Sequence, residues 1–161
     1  MEIHFSLGLP RDEESVPMVR HICRDALVEL GVAGDCVGDV ELAVTEACTN
    51  VLKHAVGTGN EYVVTVAIIE DDCVIRVVDS GSGFDHESVD RVNAAGLAEE
   101  SGRGVFLMAA LVDQLEFTSR PETGTVVHLE KKLELNETSV IRRLQRATEA
   151  AILAANGVPT V

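Results

Sequence analysis

The chain has 161 residues, 46% of them hydrophobic and 25% charged, with 13 Lys and Arg against 27 Asp and Glu for a net charge of −14. That length supports one domain with a sizeable core, and the apolar fraction excludes a disordered acidic tail. The acidity disfavours nucleic acid as a direct partner, because duplex binding rests on clustered Lys and Arg. It is also uneven: residues 1–136 carry −15 and residues 137–161 carry +1. Any anion held by the body must therefore be met by local charge.

No run approaches the roughly 18–20 apolar residues that a membrane span needs. Met1-Glu2-Ile3-His4-Phe5 lacks a basic leader region, so a cytoplasmic protein is expected. Cys23, Cys36, Cys48 and Cys73 are scattered, with no CxxC pair and no zinc-like spacing, and read as buried free thiols.

Residues 2–9 alternate Ile3, Phe5, Leu7 and Leu9 with polar or small neighbours, the period of a half-buried strand. Pro10 ends it, and Asp12-Glu13-Glu14 opens a helix with acids in its first turn. That helix repeats Val16, Val19, Ile22, Cys23, Ala26, Leu27 and Leu30 at helical spacing and stops at Gly31. A second helix follows Gly34-Asp35 and runs to about Ala55 on a stripe of Val37, Val40, Val44, Ala47 and Val51. Tyr62–Ile69 and Cys73–Asp79 read as a hairpin around Glu70-Asp71-Asp72. Residues 80–103 show no period but several glycines, as a functional loop would. An apolar helix start follows at Val105–Leu111, then strands at Leu115–Arg120 and Thr125–Leu133. Glu137–Ala155 is a last amphipathic helix, with Val140, Ile141, Leu144, Ala147, Ala151 and Ile152 on its apolar side. This order predicts an α/β two-layer sandwich with a mostly antiparallel sheet.

Three segments carry chemistry. Glu46 and Asn50 lie four residues apart on the second helix, hence about 40° apart on one face, with Val44 and Val51 pointing nearly opposite. A carboxylate there can accept a proton, and the amide oxygen is a hard ligand suited to Mg²⁺; a solvated polar face would show the same pair. Asp79-Ser80-Gly81-Ser82-Gly83 closes an apolar strand, placing an acceptor for an exocyclic amine such as adenine's beside glycines that admit a flat ring. An ordinary acidic-glycine turn reads the same way. Ser101-Gly102-Arg103-Gly104 precedes an apolar helix, where unpaired N–H groups and a fixed cation favour an anion, although a plain glycine-rich helix start also fits. Neither GxxxxGK[ST] nor a GxGxxG fingerprint after a strand is present.

In chain order these pieces form a pattern. Thr45-Glu46-Ala47-Cys48-Thr49-Asn50 followed by His54-Ala55 resembles the N-box of the GHKL (Bergerat-fold) ATPases, and more narrowly that of the anti-sigma-factor serine/threonine kinases. Asp79-Ser80-Gly81-Ser82-Gly83-Phe84 is similar to their DxGxG box, Gly102-Arg103-Gly104 to their GxG box, and Gly124-Thr125-Val126-Val127 to their closing strand. The resemblance covers residues 1–133 as an ATP-binding kinase domain, with 134–161 a C-terminal helical extension outside the family core.

The resemblance implies a Bergerat fold with helices on one face of the sheet, and ATP and Mg²⁺ as cofactors. It makes Glu46 the catalytic base and Asn50 a Mg²⁺ ligand. Asp79 would hold the adenine amine with Thr125 in support, Gly81 and Gly83 would shape the pocket, and residues 84–101 would form a lid. Gly102, Arg103 and Gly104 would sit at the phosphates; Arg103 departs from the small or apolar residue often found there. Family members phosphorylate an anti-anti-sigma partner, otherwise hold a sigma factor inactive, and are generally homodimers. An alternative is a module that binds nucleotide and sequesters its partner without phosphorylating it, although the intact Glu46 argues against that.

Overall fold

A computed structural model describes residues 2–54, 59–79, 102–120 and 124–155. The elements run β1 (Glu2–Pro10), α1 (Ser15–Glu29), α2 (Gly34–His54), β2 (Glu61–Ile69), β3 (Asp72–Asp79), α3 (Gly102–Leu111), β4 (Gln114–Arg120), β5 (Gly124–Lys132) and α4 (Val140–Ala155). The five strands form one sheet in the order β1-β2-β3-β5-β4, and every described pairing is antiparallel.

Alternation in the strands decides which face is covered. Tyr62, Val64, Val66 and Ile68 of β2 and Cys73, Ile75 and Val77 of β3 are buried, in one cluster with Val19, Cys23 and Leu27 of α1 and Val40, Val44, Ala47 and Val51 of α2. Each such fully buried aliphatic side chain contributes about 1.5–3 kcal/mol over its exposed state. The two helices thus form one layer and the sheet the other, as the sequence periods predict. All four cysteines are free and buried. Burial raises the thiols of Cys23, Cys48 and Cys73 to about 12.

Three boundaries differ from expectation, the first being that α3 begins at Gly102 rather than Val105, which makes Gly102-Arg103-Gly104 its first turn. Asp12-Glu13-Glu14 does not open α1 but makes the turn before it: Asp12 Oδ1 accepts from the Glu14 N–H at 2.8 Å, and the Asp12 carbonyl accepts from the Ser15 N–H at 3.0 Å. Likewise α4 begins at Val140 rather than Glu137, because the Ser139 hydroxyl accepts from the Arg142 N–H at 3.1 Å and caps the helix.

The end of α1 is a Schellman turn. Gly31 takes φ of 80°, its N–H reaches the Val28 carbonyl at 3.0 Å, and the Val32 N–H reaches the Leu27 carbonyl at 3.1 Å. The segment after β5 ties onto this turn through Ala33 N to Glu134 O (2.7 Å), Asn136 N to Gly31 O (2.9 Å) and Val140 N to Leu30 O (3.1 Å). Only Ile141 of α4 is buried; Val140, Leu144 and Ile152 of the expected apolar side are exposed. Among the described residues, no helix is long and apolar enough to cross a membrane.

Candidate active site

The site gathers at the end of the sheet where β3 stops and β5 starts. On α2, the stripe Val40, Ala43, Val44, Ala47 and Val51 is committed to the core, which turns Glu46 and Asn50 toward α3. Thr45 and Thr49 flank them but bond back along the helix, to the Glu41 carbonyl at 2.7 Å and the Thr45 carbonyl at 2.8 Å. Asn50 is 6% exposed, and its Nδ2 is buried without a hydrogen-bond partner among the described residues. A buried, unpartnered amide is costly, on the order of 1–3 kcal/mol, unless something arrives to satisfy it.

The first turn of α3 closes this side. A Cβ built on Gly104 would lie 2.6 Å from Glu46 Oε2 and 3.3 Å from Asn50 Nδ2. Glycine therefore brings the helix start into contact with both side chains, which the sequence pattern alone does not foretell. The first turn of α3 holds no acid, and Arg103 is exposed beside it. Unpaired N–H groups, a helix dipole and an arginine make this turn the local positive field that an acidic body needs in order to hold an anion.

Asp79 ends β3, fully buried, opposite Tyr62 of β2. Arg11, just beyond β1, donates from its guanidinium Nη2 to Asp79 Oδ1, while Asp79 Oδ2 is buried with no partner among the described residues. On the other flank, Gly124 has φ of 81°, and a Cβ there would fall 2.5 Å from the Asp79 carbonyl oxygen. Only glycine permits both that conformation and that approach. Thr125 is fully buried, and its hydroxyl donates to the His54 carbonyl at 3.3 Å. The His54 ring meets Phe117 of β4 edge-on, with centroids 6.2 Å apart. The last turn of α2 is thereby tied to β4 and β5, so the helix bearing Glu46 and Asn50 keeps its place relative to the strands bearing Asp79. Beneath them, Tyr62 Oη and Ser15 Oγ are 2.7 Å apart, and burial pushes the phenol up to about 12.

The structure therefore brings together Glu46, Asn50 and Gly104 on one side, and Asp79 with the start of β5 on the other. Gly81, Gly83 and the expected lid at 84–101 lie outside the described residues, as does Ser101. Sequence reasoning missed Arg11, which no local pattern links to an acid 68 positions away. It also missed the contacts made by Gly104 and Gly124, for which bare glycines are the only signal. An open hollow of about 620 Å³ lies at the opposite end of β3, between the β2–β3 turn and α4. Glu70, Asp71, Glu134 and Glu149 outnumber Arg142 there, so it is no home for a polyphosphate.

A sandwich with an unpartnered amide, a carboxylate and a glycine-rich helix start at one end is the frame of an ATP-binding domain. The sequence profile described as the histidine kinase-like ATPase domain matches residues 9–131. The chain belongs to this family, in the branch of the serine-protein kinases named RsbW. It is 30% identical over 148 residues to the Halalkalibacterium halodurans RsbW, covering 85% of this chain and 90% of that one. Against the Bacillus velezensis RsbW it is 28% identical over 139 residues, covering 81% and 86%. The RsbU and RsbW domains of a Mycobacterium tuberculosis protein share the fold at a TM-score of 0.62 and 21% identity, covering 81% of this chain and 32% of that one.

Proposed function

We propose that this chain is a cytoplasmic, ATP-dependent protein serine/threonine kinase that phosphorylates an anti-anti-sigma antagonist and, when not so engaged, holds a sigma factor inactive, acting as a homodimer. The observation that carries this reading is the contact of Glu46 and Asn50 with the glycine start of α3, which puts a proton acceptor, a hard oxygen ligand and an anion-binding turn at one point. Residues 1–133 form the kinase unit in this reading, and residues 134–161 extend it.

Asp79 accepts the adenine amine on its unpartnered Oδ2, with Thr125 holding the strand start beside it. The N–H groups of Gly102, Arg103 and Gly104 and the Arg103 guanidinium receive the phosphates. Asn50 fits Mg²⁺, an ion that commonly takes only one or two protein oxygens and fills its remaining positions with water and phosphate. When bound there, Mg²⁺ supplies charge neutralisation on the phosphates. Glu46 then orients the incoming serine or threonine hydroxyl and takes its proton as the oxygen–phosphorus bond forms and the bond to ADP breaks.

The test is incubation with Mg-ATP labelled on the γ-phosphate and candidate antagonist-type proteins from the same cell. Label on a serine or threonine of the antagonist is expected, and Glu46→Gln is expected to keep ADP binding while losing about 10²–10⁴-fold in transfer. A stable complex with no phosphoprotein would refute the kinase reading. A Glu46→Gln variant working at the wild-type rate would remove the base assignment.

A further inference from the structure

Arg11 is placed with unusual firmness for an arginine just outside a strand. Pro10 precedes it as the last residue of β1, and the Arg11 N–H donates to the Asn60 carbonyl at 2.8 Å. The register Leu9↔Tyr62↔Asp79 runs across three strands, and Arg11 lies two residues beyond Leu9 along the chain, just past the end of β1. Its guanidinium reaches Asp79 Oδ1, with 14% of the arginine side chain and none of the aspartate exposed. Among the described residues the carboxylate is thus bonded at one oxygen, while Oδ2 is buried with no partner.

A carboxylate anchored at one end has a defined plane. Held in its charged form by a planar cation at Oδ1, it offers Oδ2 as an acceptor and never as a donor. An acceptor matches the amino group of adenine and opposes the carbonyl oxygen of a 6-oxo purine. We infer that Arg11 is a positioning residue that aims Asp79, making the Arg11–Asp79 pair the determinant of selectivity for a 6-amino purine. This inference rests on the reading of Asp79 as the adenine acceptor.

The experiment compares ADP with purine riboside 5′-diphosphate, which differs only in lacking the amine. Both are titrated against the full chain by displacement of a fluorescent ADP, in the wild type and in Arg11→Lys, Arg11→Gln and Asp79→Asn. The wild type should prefer ADP by about tenfold or more, the usual scale of a hydrogen bond to a charged group. Arg11→Gln should bring that ratio close to unity while the analogue's own affinity stays within about threefold. Arg11→Lys keeps the compensating charge, and with it the fold, but replaces a planar fork with a point charge; it should lower the ratio by about threefold or more.

A role confined to holding the fold would weaken both nucleotides together and leave the ratio untouched. An unchanged ratio in folded Arg11→Lys or Arg11→Gln, with the ratio lost in Asp79→Asn, overturns the role of Arg11 alone. A wild type that binds both nucleotides equally overturns the adenine reading of Asp79, and this inference with it.

Discussion

Replacing Gly104 with alanine separates stability from chemistry. The new Cβ would stand 2.6 Å from Glu46 Oε2, whereas ordinary contact begins near 3.4 Å, so the carboxylate must retreat by roughly 0.8 Å. For the fold this is cheap, because the clashing atom is the tip of a flexible side chain. Within α3, alanine is also favoured over glycine by about 1 kcal/mol, so the melting temperature should hold or rise. For a general base the same shift is severe, since misplacement by about 1 Å can cost about 100-fold in rate. Gly104→Ala should therefore lose about 10–100-fold in phosphotransfer, with ADP affinity within a few-fold of wild type. Calorimetry, ADP titration and initial rates on a phosphorylatable antagonist read the three quantities. A soluble Gly104→Ala protein transferring phosphate at the wild-type rate would refute the claim that Glu46 acts from its observed position.

Two further outcomes follow from burial and backbone conformation. The thiols of Cys23, Cys48 and Cys73 stand near 12 in the folded chain against an ordinary value of 9.0. Above pH 9 the unfolded chain releases protons that the native one keeps, so stability is full below pH 9 and is lost progressively toward pH 12. The unfolding free energy from urea titration should be flat from pH 7 to about 8.5 and then fall, by roughly 1 kcal/mol per thiol per pH unit; a value unchanged at about pH 10.5 would contradict this. At Gly31, alanine would meet both a φ of 80° and the backbone of Ser139, with its Cβ 2.5 Å from Ser139 Cα. A loss above about 2 kcal/mol, or roughly 4–8 °C in melting temperature, is expected by calorimetry, and an unchanged transition would show that the α1–α4 junction yields freely.

Local chemistry explains what was legible. The alternation of Ile3, Phe5, Leu7 and Leu9, and the helical stripe of Val37 to Val51, each answer to one neighbouring layer, so both appear in the chain and in the fold. Glu46 and Asn50 were likewise readable together, because four residues on a helix fix a shared face. The α1 boundary was missed because Asp12 serves a turn as readily as a helix start. The apolar side of α4 was read correctly as a pattern but not as a contact, since periodicity does not say whether anything covers it. The pairing of Arg11 with Asp79 lay beyond reach for another reason: the register of three strands brings them together, and neither flank of either residue encodes that register.

The strand order has a temporal consequence. β5 lies between β3 and β4, and β4 pairs with no other described strand. As the chain leaves the ribosome, β4 emerges before the strand that seats it, and Asp79 waits for Gly124 to close its flank. Arg11 at its carboxylate and Gly124 at its backbone carbonyl hold the one residue Asp79 from points 113 positions apart. The proposed nucleotide site is thus among the last features to be completed during synthesis, and a nascent chain carries the sequence motifs for some time before Asp79 is seated between its two flanks.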